Sequence, residues 1–87
     1  MKIKLNKRFK KQYSKSPPNV QKAFQDRFQI FIKSPYSSIL RNHPLKHEWK
    51  GCRSIDVTGD WRAIYYESEN KLITFRAIGT HSNLYKH

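Results

Sequence analysis

The chain has 87 residues, with 18 Lys and Arg against 6 Asp and Glu, for a formal net charge of +12. Its length makes one domain, and 37% hydrophobic residues with five Phe, five Tyr and two Trp suffice to fold it, which excludes a disordered basic tail. A lone cysteine, Cys52, excludes an internal disulfide and a multi-cysteine zinc site, and the apolar runs are too short to span a membrane.

The charge is uneven. Residues 1–50 carry 13 Lys/Arg and 2 Asp/Glu, whereas residues 51–87 carry 5 and 4. So basic a protein is expected to meet a polyanion, either nucleic acid or an acidic protein. No secretory signal follows the first lysines, and the single cysteine, expected in the core or sheet, fits a cytoplasmic location.

Met1–Leu5 alternates charged and apolar residues and predicts a short first strand. Asn6 is placed to cap a short helix carrying Phe9 and Tyr13. Ser16-Pro17-Pro18 breaks the chain and starts a second helix, on which Val20, Ala23, Phe24, Phe28, Phe31 and Ile32 fall at helical spacing. Its aromatic stripe is read as core. Ser34–Ser38 ends it. Arg53–Val57, Trp61–Tyr66 and Leu72–Ile78 then read as strands, separated by turns at Thr58–Asp60 and Glu67–Asn70. The predicted fold class is α+β in the order β-α-α-β-β-β. Two helices cover one face of an antiparallel sheet, and the other face stays open to a ligand. A short tail, His81–His87, follows.

The second half holds polar residues that folding alone does not require: His43, Lys46, His47, Arg53, Asp56, Asp60, Arg62, Arg76, His81 and Tyr85. Alternation puts several of them on the polar face, and Arg62 and Arg76 are expected near each other across the last two strands. Histidines, a carboxylate, arginines and a tyrosine on one face suit acid–base cleavage of RNA. A base takes the 2′-hydroxyl proton, a cation stabilises the phosphorane, and an acid protonates the departing 5′-oxygen. That reaction needs no metal or other cofactor.

The segments His43-Pro44-Leu45, Trp49-Lys50-Gly51, Arg53-Ser54-Ile55, Gly59-Asp60-Trp61-Arg62-Ala63-Ile64-Tyr65 and Gly79-Thr80-His81-Ser82-Asn83-Leu84-Tyr85 resemble the RelE/ParE toxin superfamily. The match is nearest to the YafQ-type branch of bacterial type II toxin–antitoxin systems, and it covers nearly the whole chain as one domain, residues 1–87. The resemblance implies a RelE-like microbial RNase fold. It also implies a ribosome-dependent endoribonuclease that cuts mRNA and is held inactive by an acidic antitoxin in a hetero-oligomer. On the YafQ pattern, the catalytic residues fall on His43, Asp60, His81 and the aromatic Tyr85. A further histidine of that pattern is replaced here by Asp56, which leaves open whether Asp56 acts as base or orienting group.

The resulting expectation assigns proton removal to His43, aided by Asp56, and proton donation to His81. Asp60 orients a histidine, and Tyr85 stacks on a base. Lys46, Lys50, Arg53, Arg62 and Arg76 are the candidate contacts to RNA phosphates. Trp61 is read as scaffold, and His47 and His87 as solvated. Seven Lys/Arg and no acidic residue in positions 1–15 predict a footprint on ribosomal RNA. Two rivals stay open: a ParE-like protein that inhibits DNA gyrase by binding, and a non-catalytic RNA-binding relative.

Overall fold

Four short runs of alternating or β-branched residues and one two-residue segment build a five-stranded sheet in this computed structural model, which describes residues 1–85. The strands are β1 (Lys2–Leu5), β2 (His43–Pro44), β3 (Arg53–Asp56), β4 (Trp61–Glu67) and β5 (Leu72–Thr80), in the spatial order β1-β5-β4-β3-β2. The helices are α1 (Lys7–Ser14), α2 (Pro18–Lys33) and the four-residue α3 (His81–Leu84). His87, expected to be solvated, and the end of the expected tail lie outside the described residues.

Asn6 caps α1 as its sequence position suggests, its Oδ1 accepting from Phe9 N at 2.8 Å. α2 opens with Pro18 at its first position, where the missing N–H costs no helical bond. The stripe on these helices is core. Phe9, Val20, Phe24 and Phe31 pack with Ile55, Val57, Ala63, Tyr65, Ile73, Phe75 and Ile78 of the sheet. Trp61 leans on the same cluster. Phe75 is its centre, with the rings of Phe9, Phe24, Phe28, Phe31 and Tyr65 all within 5.9 Å of its own.

Three expectations change. The sheet is antiparallel except at β1, which runs parallel to β5 with Lys2 opposite Leu72 and Leu5 opposite Phe75. After that pairing α1 lies along the same edge of β5, where Gln12 Oε1 accepts from Ile78 N at 3.0 Å and closes a ladder edge that would otherwise stay unpaired. Second, two elements join the predicted order: β2, and α3 in place of the tail. Thr80 caps α3, its Oγ1 accepting from Asn83 N at 3.2 Å. Third, the face away from α1 and α2 is not fully open. Buried Cys52, Ile64, Ala77 and Leu84 form a second, smaller cluster there, covered by Leu45, Trp49, Tyr66 and Tyr85. Gly79 makes this possible, because a Cβ there would meet Leu84 Cδ2 at 3.3 Å.

A bulge between Ile64 and Tyr65 of β4 leaves Arg76 of β5 without an opposite residue. Arg76 therefore stands on the second face and stacks over Tyr66, 4.5 Å from its ring centre. Arg62 is opposite Gly79 instead. The two arginines are thus separated by three strand residues, about 10 Å, and do not form the expected pair.

Candidate functional site

The partial cover on the second face leaves a cleft of about 440 Å³ at one end of the sheet, lined by Arg41, His43, Pro44, Leu45, Lys46, Asp56, Arg62, His81 and Tyr85. Four separate stretches of chain meet there. β2 supplies His43 opposite Ser54, and β3 and β4 supply Asp56 opposite Arg62. β5 ends beside them, α3 supplies His81, and Tyr85 follows directly after α3.

His43 is exposed, but its ring is fixed. Nδ1 lies 2.8 Å from the Arg41 carbonyl oxygen. A carbonyl only accepts, so Nδ1 carries the proton and Nε2 of the neutral ring keeps its lone pair. Arg41 closes the 3₁₀ turn Ser38–Leu40 in a left-handed conformation, φ 48°, which few residues other than glycine adopt.

His81 begins α3, and its N–H donates to the Asp60 carbonyl at 2.9 Å. Its ring meets that of Tyr85 edge-on, centres 4.6 Å apart, as residues four apart on a helix do. The Tyr85 hydroxyl oxygen is buried without a hydrogen-bond partner, so the ring is what the residue presents to the cleft. The helix is too short to hold itself. Trp49, from the 3₁₀ turn His47–Trp49, donates its Nε1–H to the Leu84 carbonyl at 2.8 Å and pins it. Arg8 of α1 in turn lies over the Trp49 ring at 5.3 Å.

Asp56 sits between two guanidinium groups. Its Oδ1 is 3.1 Å from Arg62 Nε, and its Oδ2 is 3.6 Å from Arg41 Nε. Arg62 also donates from Nη1 to the carbonyls of Thr58, Gly59 and Trp61. It therefore ties the Thr58–Asp60 turn to β3.

The structure thus brings together His43, Lys46, Asp56, Arg62, His81 and Tyr85. Four candidates lie elsewhere. Asp60 is exposed outside the cleft lining, and it meets His81 through its main-chain carbonyl. Lys50 follows the His47–Trp49 turn, exposed and away from the lining. Arg53 shares strand parity with buried Ile55 and points to the helix side, where it donates to Asn42 Oδ1 at 2.7 Å and lies over the Tyr36 ring. Arg76 is held by the bulge at Tyr66. Arg53 and Arg76, both expected to contact RNA, thus lie outside the cleft lining. Conversely, Arg41 lines the cleft although no motif marks it. The only signal in the sequence is a basic residue two positions before His43.

Among the described residues, no group of three or more His, Cys, Asp or Glu is placed to hold a metal ion. No helix there is long and apolar enough to cross a membrane.

Comparisons with known proteins show a family. Residues 1–86 match the family described as "Bacterial toxin of type II toxin-antitoxin system, YafQ". The mRNA interferase toxin YafQ of Escherichia coli strain K12 is 34% identical over 82 residues, which cover 85% of this chain and 88% of that protein. The crystal structure of YafQ from E. coli BL21(DE3) superposes with a TM-score of 0.76 at 27% identity, covering 95% of this chain and 96% of that one. YafQ in the E. coli DinJ–YafQ complex gives 0.70 at 30% identity, with the same coverage of 95% and 96%.

Proposed function

Because the chain belongs to the YafQ family of toxins from bacterial type II toxin–antitoxin systems, we propose that it is an endoribonuclease that cuts mRNA on the ribosome. The observation that carries this reading is the pair His43 and His81 lining one cleft with Arg41, Lys46 and Arg62. A phosphodiester needs a base on one side, an acid on the other and cations between them.

His43 Nε2 takes the proton from a 2′-hydroxyl. The 2′-oxygen forms a bond to phosphorus, and the bond from phosphorus to the 5′-oxygen breaks. His81, as imidazolium, gives that oxygen its proton. The products are a 2′,3′-cyclic phosphate, open to hydrolysis to the 3′-phosphate, and a 5′-hydroxyl end. The reaction as written uses no metal. Asp56 acts here as a positioning residue rather than a base, since both its oxygens face arginines. Asp60 acts through its carbonyl, by fixing the start of α3. Tyr85 offers its ring to a base.

The basic residues of β1, α1 and α2 are assigned to ribosomal RNA and, in the resting state, to an acidic antitoxin in a hetero-oligomer. The related YafQ has been crystallised with DinJ, which supports a partner of that kind. The site of action would be the cytoplasm, where translation occurs.

The test is a translation reaction on a defined mRNA, with cut ends mapped by primer extension. The wild type should give cuts, and His81→Ala should give none while keeping its circular dichroism, because the His81 side chain is exposed. Undiminished cutting by His81→Ala, or intact mRNA beside inhibited DNA gyrase, would overturn the reading.

A further inference from the structure

Arg41 meets the cleft with two different groups. Its carbonyl holds His43 Nδ1, and its guanidinium faces Asp56. The ion pair does little for the fold, since the Arg41 side chain is 78% exposed and the contact is a loose 3.6 Å. The left-handed backbone of Arg41 is a further conformational cost to the fold. Arg62 differs in kind. Its side chain is only 17% exposed, and its Nη1 serves three carbonyls of its own turn. Of the two guanidiniums on Asp56, that of Arg41 is the one turned to solvent in the cleft.

We propose that Arg41 binds the phosphate that is attacked in the substrate RNA, and that Asp56 is the positioning residue that holds its guanidinium there. This rests on the reading of the cleft as a ribonuclease site. A guanidinium offers parallel N–H donors matched to two phosphate oxygens, and it keeps its charge as negative charge builds on the phosphorane. Because one residue fixes both the base and the phosphate, the distance between Nε2 and the 2′-hydroxyl is set by a single turn of backbone. Asp56 then has a use at the site as well as in the fold, because it anchors two cations there.

Arg41→Ala removes the guanidinium and keeps the carbonyl on His43. With translating ribosomes and a defined mRNA, it should lower the maximal cleavage rate by about 100-fold, and Arg41→Lys should recover part of the loss. Asp56→Asn should lose at least as much, and adding Arg41→Ala to it should cost little more. Lys71→Asn removes one charge at the opposite end of the sheet, in a left-handed position that Asn tolerates. It should cut like the wild type. A second readout needs no cleavage: titration of a 2′-O-methyl RNA oligonucleotide at several salt concentrations. There Arg41→Ala should flatten the slope of log K against log salt by about 0.7, one phosphate on a single strand. If Arg41→Ala matches the wild type in both rate and slope, the phosphate contact is wrong and the ribonuclease reading stands. If the wild type binds the oligonucleotide with the steeper slope yet cuts no mRNA, the ribonuclease reading fails and the phosphate contact stands.

Discussion

Asn42 is the residue on which the position of His43 depends. Its Nδ2 donates to the Pro35 carbonyl at 2.9 Å and to the Tyr65 hydroxyl at 2.7 Å, while its Oδ1 accepts from Arg53 Nε. One amide thereby joins the end of α2, the middle of β4 and the start of β3 immediately before the candidate base. Tyr65 pays out this arrangement as a pH dependence. Burial raises the pKa of its phenol above the ordinary value, and the Asn42 hydrogen bond opposes this in part. The folded state therefore holds the proton more tightly than the unfolded chain. The stabilisation is complete below about pH 10, the ordinary tyrosine value, and is lost as pH rises through the folded value. Urea unfolding from pH 8 to 11 should show stability falling more steeply in the wild type than in Tyr65→Phe. Equal slopes would refute the assignment.

At this scale the sequence revealed side chains that carry motifs, and it missed those placed by backbone shape. His43, His81 and Tyr85 reach the cleft from segments that could be read directly. Arg41 could not be read, because its place follows from a left-handed turn that no residue type announces. Arg53 was readable. It shares parity with Ile55, and alternation alone assigns it to the helix side.

Among the elements, α3 depends most on its neighbours. Four residues cannot sustain a helix, and this one is held by the Thr80 cap, the Asp60 carbonyl and the Trp49 indole. Trp49→Phe keeps most of the ring and deletes the indole donor, at a cost of about 1 kcal/mol. Amide exchange at Asn83 and Tyr85 should quicken, and mRNA cleavage should fall with His81 less well held. Unchanged exchange at both amides would show that Trp49 does not pin the helix. The long periodic elements α1, α2, β4 and β5 were legible because each repeats its signal over several turns or pleats. β2 and α3 were not, since two and four residues give no period. The bulge was equally hidden, as was the register that sets Arg62 opposite Gly79, three residues from Arg76.

Over the whole molecule, charge and stability oppose each other. A net charge of +12 on one small domain repels itself, and salt screens that repulsion. The same salt weakens attraction to phosphates. Raising NaCl from 10 to 300 mM should therefore raise the thermal midpoint of the protein alone while lowering its affinity for ribosomes. A midpoint that falls with salt would mean that attractive surface pairs outweigh the repulsion. The lopsided charge is legible in the sequence itself. Its counterpart, the small second cluster that narrows an open sheet face to one cleft, was not, because Cys52, Ile64, Ala77 and Leu84 come from four distant positions.

The parallel pairing of β1 with β5 also sets a timetable. Lys2 finds its partner Leu72 only after 70 further residues have been made, and His81 comes later still. The first strand to leave the ribosome must wait for the last, and contacts this far apart in sequence close slowly. The nascent chain therefore grows past residue 72 with its first strand unpaired. Until residues 81–85 have been made and released, it has no complete cleft.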